Sequence, residues 1–309
     1  MKKTMWAIAL MAMIAGTLLT GCRKKQQQTA NGQDSITQTF LNGSDALEVE
    51  STTAENNEVA AKKKKWPKGM EIPAPMTGTA EQLLRRDGYT TSYNKDRKIP
   101  NWVAWHLTAA HSKGDSQRDD MMFTEDKDVP YPRATDDDYY NSRYDRGHMC
   151  PAGDNKWDRR AQMQTFLFTN ICPQNHGLNK GDWNDLEIQC RYWARALGDI
   201  YIVTGPVFYH GVQKTIGRHQ VAVPDAFFKV LLCDRGKAKT IGFIYPNRGG
   251  HKKMKEYVCP VDEIERITGI DFFPALDDRV ENVVEAEEEQ KMIDDWQVYR
   301  AKSYRNYSK

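Results

Sequence analysis

The sequence predicts an α+β fold built from pairs of short strands and a few helices. Residues 89–93 and 101–108 have the composition of a strand hairpin, and residues 226–233 and 240–245 form a second pair joined by a short turn. Residues 182–197, between the two pairs, carry apolar side chains at the 3.6-residue spacing of an amphipathic helix. Paired strands combined with helices indicate the α+β class.

The other elements before the long helix follow from local signals. Residues 80–86 predict a short helix or an edge segment. Residues 94–97, Asn-Lys-Asp-Arg, predict the turn of the first hairpin. Residues 155–166 predict a helix, and residues 168–171 form a short apolar segment.

The region after the long helix predicts one further strand and two further helices. The strand covers residues 199–204 and is expected to end at Gly205-Pro206. A helix over residues 261–269 is expected to stop at its glycine. Residues 281–297 predict a charged, exposed helix, which a mildly basic aromatic tail follows, so that residues 281–309 form a C-terminal extension.

The long helix carries signals for its own boundaries. Asp182 is expected to cap its N-terminus, with Asp185 three positions later, and Gly198 is expected to end it. One face carries the apolar residues Leu186, Cys190, Trp193, Ala194 and Leu197. A second face carries Glu187, Arg191 and Arg195 at spacings of four. Asn179 precedes the first turn, so it can lie near Glu187.

The N-terminus predicts an exported chain. Two lysines precede an apolar run that continues to Leu19-Thr20-Gly21-Cys22, which resembles a bacterial lipobox. We expect residues 1–21 to be a lipoprotein signal peptide that is removed before Cys22, the residue that then carries the lipid. The apolar run is short for a membrane-spanning helix, and an uncleaved anchor or ordinary secretion are the alternatives. Arg23 stands where some Gram-negative bacteria place an aspartate for inner-membrane retention, so we expect the outer membrane of the cell envelope.

Residues 22–78 predict a tether to the folded part. The stretch up to residue 65 is polar, has almost no aromatic residues and ends in four lysines, and three prolines follow between residues 66 and 76. A lysine run of this kind is typical of a solvated linker, with weak attraction to phosphate as the alternative. The folded domain is therefore expected over residues 79–280.

Net charge does not support binding to nucleic acid. The formal charge of the full sequence is +2, and removal of residues 1–21 takes away two lysines and no acids, which leaves 0. Any positive surface must then be local. The candidates for it are Arg143, Arg146, Arg159, Arg160, Arg191 and Arg195.

Residues 144–191 contain the residue types needed to hydrolyse a phosphodiester. No Ser-His-Asp order and no glycine-rich phosphate loop stands out, but histidine, several amides, a carboxylate and several arginines are present. Histidine can take a proton from water at pH 7, and Mg²⁺ needs only one or two oxygen ligands from the protein. Arginines can stabilise the negative charge of the transition state. The set predicts phosphodiester cleavage with one hard metal ion.

The same stretch closely resembles the DNA/RNA non-specific endonucleases, a ββα-metal family. The matching pieces keep their order and spacing and are residues 145–148 (Asp-Arg-Gly-His), 170–174 (Asn-Ile-Cys-Pro-Gln), 178–181 (Leu-Asn-Lys-Gly), Trp183, 186–187 (Leu-Glu) and Arg191. The resemblance covers about residues 79–280. It implies a ββα-metal, or His-Me finger, fold with a mainly antiparallel central sheet and flanking helices.

The resemblance also implies roles for the central residues. His148 would be the general base and Asn179 the direct metal ligand, while Glu187 would hold a water on the metal. The expected ion is Mg²⁺, with Mn²⁺ or another divalent ion as the alternative. The expected substrates are DNA and RNA, cut without sequence preference to leave 5′-phosphates.

Four further residues receive roles from the same resemblance. Arg191 would contact phosphate, Arg146 would lie beside the site, and Asn170 would position the base or the water on the metal. Arg118 precedes an acidic turn and would be a phosphate-contacting arginine, although its match is looser than that of the central motif.

Two other functions remain open at this point: a phosphodiesterase with a different substrate, and a non-catalytic surface lipoprotein that binds nucleic acid. The intact His148, Asn179 and Glu187 argue against the second. His106 is expected to be structural, and residues 136–138, three aspartates, are expected to be solvated or to cap a helix rather than to bind metal. Five cysteines besides Cys22 leave disulfide pairing open, and the oligomeric state is not determined.

Overall fold

The computed structural model describes residues 66–298, apart from positions 210, 212, 235–236 and 251. The predicted signal peptide, Cys22, the tether up to residue 65 and the tail beyond residue 298 lie outside the described residues. Within the described ranges, no helix has both the length and the apolar character needed to cross a membrane.

Strands and short helices make up the described chain. The strands are β1 Gln82–Arg85, β2 Thr90–Asn94, β3 Ile99–Leu107, β4 Asp145–His148, β5 Ile171–Gln174, β6 Ile200–Val207, β7 Thr215–Ile216, β8 Val221–Ala222, β9 Ala226–Asp234, β10 Ala238–Pro246 and β11 Val258–Cys259. The α-helices are α1 Asp136–Tyr139, α2 Arg159–Gln164, α3 His176–Lys180, α4 Asp182–Leu197, α5 Val261–Thr268, α6 Asp278–Glu285 and α7 Glu289–Asp295. The 3₁₀ helices are Ala152–Asp154, Phe168–Asn170 and Met254–Tyr257.

Seven strands form one antiparallel sheet in the order β1-β2-β3-β6-β9-β10-β11. Two small sheets, β4-β5 and β7-β8, stand apart from it. The predicted α+β class, with a mainly antiparallel central sheet and flanking helices, is therefore confirmed.

The central sheet is buried on both faces. Successive side chains of a strand point to opposite faces, and in β3 Trp105 joins one apolar cluster while Trp102 joins the other. On the first face the sheet packs against the apolar stripe of α4, including Leu186, Cys190, Trp193 and Ala194, as predicted. On the second face it packs against Val261 and Ile264 of α5 and Val284 of α6. The two faces thus have separate sets of helices.

The start of α4 differs from the prediction. Gly181 is the N-cap, Asp182 is the first helical residue, and no side chain bonds the helix at its cap, so the predicted Asp182 cap was wrong. The Asp182 carboxylate instead accepts a hydrogen bond of 2.8 Å from the Tyr257 hydroxyl, a long-range contact that local sequence rules do not anticipate. The predicted end is correct, because Gly198 follows the helix with a φ of 97°.

β6 is longer than predicted, since it continues through Gly205 and Pro206 to Val207. Proline cannot donate to a strand ladder, but β6 pairs with β3 only as far as Thr204, and from Gly205 onward it pairs with β9 alone. The proline therefore lies where one side of the strand needs no donor. α2 is shorter than the helix predicted over residues 155–166.

The C-terminal extension contains two helices in place of one exposed helix. α6 and α7 bury Val284, Met292 and Trp296 against the rest of the fold, and the Trp296 indole donates a 2.9 Å hydrogen bond to the Thr240 carbonyl. The many charges of this region hid its apolar face from the sequence prediction. Packing also begins before residue 79, because Met70 is buried in the core on the second face of the sheet.

Candidate active site

The site is organised by a small hairpin followed by α4. β4 pairs antiparallel with β5 so that Asp145 lies opposite Gln174 and His148 opposite Ile171. β5 then leads through α3 into α4. Two strands and one helix thereby bring the Asp-Arg-Gly-His segment beside α4.

Gly147 is required by the close approach of the two strands. A Cβ atom at position 147 would lie 2.3 Å from Gln174 Oε1 and 2.5 Å from Gln174 Cβ. Any side chain there would push β4 away from β5 and displace the neighbouring His148. The glycine of the motif therefore has a packing reason.

A cavity of about 820 Å³ lies between the hairpin, α4 and the segments around residues 116–123 and 151–156. Six of the predicted site residues line it, namely Arg118, Arg146, His148, Asn179, Glu187 and Arg191. Asn170 is the predicted residue that the structure leaves out of this lining. The structure thus gathers residues that are up to 73 positions apart in the sequence, from Arg118 to Arg191, around one space.

The His148 imidazole is held by aromatic rings. Its ring centroid lies 5.3 Å from that of Phe123 and 4.9 Å from that of Phe166. Within the described part of the chain, the buried Nε2 atom has no hydrogen-bond partner. Burial, and then the nearby Arg118, lower the pKa of His148 from 6.5 to about 3. His148 is therefore neutral at pH 7 and can accept a proton.

This shift predicts a contribution of His148 to acid sensitivity. Between pH 6.5 and about 3 the unfolded chain binds a proton on His148 that the folded chain does not. The free energy of unfolding should therefore fall as the pH drops through this window. Urea unfolding in EDTA measures this free energy at each pH. Between pH 7 and pH 4.5, the free energy of unfolding of His148→Gln should decrease less than that of the wild type. Equal losses in both proteins would contradict the lowered pKa.

Asn170 holds the backbone that follows His148. Its side-chain oxygen accepts a 2.9 Å hydrogen bond from Cys150 N, and its side-chain nitrogen donates to Cys150 O at 2.9 Å and to Thr165 O at 2.8 Å. Asn170 is fully buried. These bonds fix the backbone two residues after His148, and both predicted roles of Asn170 stay predictions.

Asn179 is oriented by Asp145. The Asn179 amide nitrogen donates a 2.8 Å hydrogen bond to the Asp145 carboxylate, which also accepts from His176 Nδ1 at 3.0 Å. A carboxylate can only accept, so the amide nitrogen must face Asp145 and the amide oxygen is left for another partner. An oxygen fixed in this way at the wall of the cavity suits a hard divalent ion. The residues present therefore fit the predicted metal.

Glu187 lies on the wall of the same cavity, half-buried, on α4. Burial raises the pKa of Glu187 to about 7, against the opposing effect of Lys229 and Arg191. Lys229 is almost fully buried, and its ammonium lies 4.5 Å from the Trp183 ring and 5.1 Å from the Trp105 ring. A buried positive charge beneath the site favours the carboxylate form of Glu187.

Asp154 binds the Arg191 guanidinium and fixes its position. Arg191 Nη1 donates a 2.8 Å hydrogen bond to Asp154 Oδ1, and the Trp105 indole donates to Asp154 Oδ2 at 3.1 Å. Asp154 is buried. This pairing holds Arg191 at the wall of the cavity. Arg191 therefore pairs with Asp154 and not in a simple surface pair with Glu187.

Arg118 and Arg146 lie near the aromatic rings that surround His148. Arg118 is 5.6 Å from the Phe166 ring, and Arg146 is 5.6 Å from the Phe123 ring. Arg146 also donates from Nε to Asp136 Oδ1 at 2.6 Å. Both guanidinium groups line the cavity from the side of His148, across from Asn179 and Glu187 on the helices.

The positive surface is local, as the charge balance requires, but its members differ from those expected. The cavity is lined by five basic side chains, Arg118, Arg146, Lys156, Lys180 and Arg191, and by two carboxylates, Asp145 and Glu187. Arg159 pairs with Asp120 and Arg160 with Asp87, both outside this lining. Of the six expected arginines, Arg146 and Arg191 belong to the cavity.

Three residues that support the site were not assigned these roles from the sequence. Asp145 orients Asn179, Asp154 anchors Arg191, and Lys229 acts on Glu187. Lys229 does have a sequence signal, because it is a lysine among the apolar residues of β9. Asp154 gave no comparable signal, since its partner lies 37 positions away.

Other candidates lie outside the site. His106 is within 3.4 Å of Asp199 and stacks on Tyr201, which agrees with the structural role expected for it. Asp138 caps α1 together with Thr135 and binds His219, so the three aspartates are not arranged as a metal cluster. Five free thiols are present among the described residues, namely Cys150, Cys172, Cys190, Cys233 and Cys259.

The sequence of this chain is similar to those of several nucleases. Nuclease C1 of Cunninghamella echinulata var. echinulata is 38% identical over 216 residues, which cover 65% of this chain and 86% of that protein. The mitochondrial nuclease EXOG of Xenopus laevis is 34% identical over 224 residues, which cover 67% of this chain and 62% of that protein. The chain thus spans less than two thirds of the length of the EXOG relatives.

A solved structure and a family model agree with these relatives. A chain in the crystal structure of the EndoG/EndoGI complex matches with a TM-score of 0.62 and 29% identity, covering 64% of this chain and 88% of the other. The family model for DNA/RNA non-specific endonucleases matches residues 68–279, which is more than half of the chain. This chain therefore belongs to the DNA/RNA non-specific endonuclease family.

Proposed function

We propose that the protein is a metal-dependent endonuclease that hydrolyses phosphodiester bonds of DNA and RNA without sequence preference and leaves 5′-phosphates. The observation that carries the proposal is the single cavity in which His148, Asn179 and Glu187 lie among arginines. Family membership supports the same activity. We propose Mg²⁺ as the ion, with Mn²⁺ as the alternative, because an amide oxygen and a carboxylate are hard ligands.

Each residue of the site has its own role in phosphodiester hydrolysis. Neutral His148 takes the proton from the attacking water. Asn179, fixed by Asp145, would hold the ion through its amide oxygen, and Glu187 would support the ion through water. When bound, a divalent ion supplies positive charge to the scissile phosphate and the leaving oxygen.

The arginines of the cavity stabilise the phosphate. Arg191 presents the part of its guanidinium that Asp154 does not bind, and Arg118 and Arg146 act from the side of His148. Because Asp154 is buried and paired on both oxygens, Arg191 keeps its position when the substrate leaves. The site is thus prepared for negative charge before binding.

A comparison of three substrates tests the proposed function. Supercoiled plasmid, a long RNA and the small diester bis(p-nitrophenyl) phosphate should be incubated with the protein under the same conditions. We expect rapid internal cleavage of plasmid and RNA and slow turnover of the small diester. Turnover confined to the small diester would favour the alternative phosphodiesterase, and binding of DNA or RNA without cleavage would favour a non-catalytic protein.

The preference of the protein for particular nucleotide sequences should be weak, and its KM should depend strongly on salt concentration. The basic groups of the cavity contact phosphate, and such contacts do not distinguish sequences. They also release counterions on binding, so KM should rise between low and physiological salt. Mapping of cuts along a long mixed-sequence DNA should show them spread broadly. Cuts confined to one short recognition sequence would contradict this prediction.

We also propose that the mature protein is a lipoprotein of the bacterial cell envelope, attached through acylated Cys22 and located at the outer membrane. The lipobox-like sequence before Cys22 and the Arg23 that follows it support this proposal. The polar stretch up to residue 65 would then act as a tether for the catalytic domain.

Cys22→Ala tests the anchor. The variant should lose lipidation and cleavage by the lipoprotein peptidase, so metabolic labelling with a fatty acid should disappear. Cys259→Ala, which removes a thiol of the folded domain, is a matched control and should be labelled like wild type. Identical labelling and processing of Cys22→Ala and wild type would contradict the lipoprotein proposal.

A further inference from the structure

A cluster of carboxylates lies on the second face of the central sheet, away from the active-site cavity. Asp262 and Glu265 of α5 and Glu285 at the end of α6 bring one oxygen each within 4.8 Å of the others. Asp262 is exposed, Glu265 is half-buried and Glu285 is buried. None of the three lines the active-site cavity.

Glu285 is the unusual member of this cluster. It is 4% exposed, and its Oε1 atom has no hydrogen-bond partner among the described residues. A buried carboxylate oxygen without a partner is costly, and such groups in folded proteins are normally hydrogen-bonded, paired or bound to metal. The unpartnered oxygen belongs to a side chain that points into a group of like charges. This combination indicates that a positive partner belongs there.

Across the ranges that the structure describes, no ion pair or hydrogen bond supplies such a partner to Glu285 Oε1. Burial raises the pKa of Glu285 to about 9, and the further contributions come from other carboxylates, namely Glu265, Glu281, Asp262 and Asp271. Glu265 uses one oxygen to accept a 2.7 Å hydrogen bond from Phe272 N. Arg266, the basic residue of α5, is paired with Glu263 outside the cluster. The repulsion among these groups is therefore not relieved by an ion pair.

We propose that Asp262, Glu265 and Glu285 bind a divalent cation of the Ca²⁺ class. Ca²⁺ accepts oxygen ligands at about 2.3–2.6 Å, so two oxygens bound to the same ion can lie up to about 5 Å apart. The spacing of at most 4.8 Å in this cluster meets that limit. Exposed Asp262 leaves a route from solvent and room for water ligands, which Ca²⁺ accepts readily.

The site would join two parts of the chain. Asp262 and Glu265 lie within residues 68–279, which match the nuclease family, whereas Glu285 lies beyond them on α6. A cation shared by α5 and α6 would fix the C-terminal extension to the nuclease domain. It would add stability that rises with the logarithm of the cation concentration above the Kd, because only the folded chain brings the three carboxylates together.

Calorimetric titration with CaCl₂, after treatment with EDTA and its removal, tests the site in the full chain. Asn179→Ala provides the background, since it removes the proposed active-site ligand and isolates the second site. We expect one Ca²⁺ per chain in Asn179→Ala and none when Glu285→Gln or Asp262→Asn is added. No Ca²⁺ binding in Asn179→Ala, or unchanged binding in both double variants, would overturn the proposal.

Thermal unfolding gives a second and independent readout. In the Asn179→Ala background, Ca²⁺ at about 100-fold above its Kd should raise the Tm by several degrees, and adding Glu285→Gln should make this rise much smaller. Glu263→Gln in the same background removes a carboxylate of the same helix outside the cluster and should leave the rise unchanged. If Glu285 holds a proton instead, Ca²⁺ would leave the Tm of Asn179→Ala unchanged and the proposal would be wrong. Neither experiment depends on nuclease activity, so its outcome is separate from that of the proposed function.

Discussion

His148→Ala is expected to lower kcat on plasmid DNA by several orders of magnitude without unfolding the protein. Loss of a general base alone typically costs about 10²–10⁴-fold, and loss of the ring that packs against Phe123 and Phe166 also removes positioning of the water. KM should change much less, because the phosphate-binding arginines stay in place. Steady-state cleavage rates of the purified variant, with circular dichroism as a check on folding, measure the effect.

His106→Ala is the matched control for this prediction. It removes a histidine that lies in β3, outside the cavity, and should keep most of the wild-type rate. His148→Gln separates shape from basicity, because glutamine fills part of the space without accepting the proton at neutral pH. Near-normal turnover in His148→Ala would remove His148 from the role of base.

Asn179→Ala is expected to abolish productive metal binding. The variant loses the amide oxygen that Asp145 directs away from itself at the wall of the cavity. Activity should remain very low even at high Mg²⁺ concentration. Cleavage rates measured over a series of Mg²⁺ concentrations test this directly.

Glu187→Ala should have a smaller effect than Asn179→Ala on the dependence of the cleavage rate on Mg²⁺ concentration. A residue that supports the ion through water typically changes metal affinity by about 10–100-fold, so activity should return at higher Mg²⁺. Asn184→Ala, a neighbouring asparagine of α4, should keep the wild-type Mg²⁺ dependence. A Glu187→Ala variant with unchanged Mg²⁺ dependence would show that this glutamate is an ordinary residue of the helix surface.

The central motif could be placed from the sequence because its members lie on consecutive local elements. β4, β5, α3 and α4 all lie between residues 145 and 197, and the family resemblance of this stretch identified His148, Asn179 and Glu187 as one site. The apolar stripe of α4 was equally visible, since a 3.6-residue repeat depends only on local sequence.

The supporting contacts could not be predicted in this way. Arg191 has Glu187 four positions before it, which suggests a surface pair, yet its partner is Asp154 from a distant 3₁₀ helix. The charge of Lys229, on the central sheet, lowers the pKa of Glu187, an effect that depends on which face of β9 meets α4. Long-range geometry decides both contacts.

The packing of the C-terminal extension also could not be predicted from local sequence. Its charged composition predicted one exposed helix, but Val284 of α6 is buried in one core cluster, and Met292 of α7 and Trp296 after it are buried in the other. The Glu285 site lies in this region and depends on α5, which is distant in sequence. Local patterns located the elements here but not their partners.

The most direct test of the account is a single measurement of plasmid cleavage with and without EDTA, followed by addition of Mg²⁺. The account predicts that the protein converts supercoiled plasmid to nicked and linear forms and then to fragments. It further predicts that EDTA stops this conversion and that Mg²⁺ in excess of EDTA restores it. Cleavage that continued unchanged in EDTA would contradict the central claim that Asn179, supported by Glu187 through water, holds an essential divalent ion beside His148.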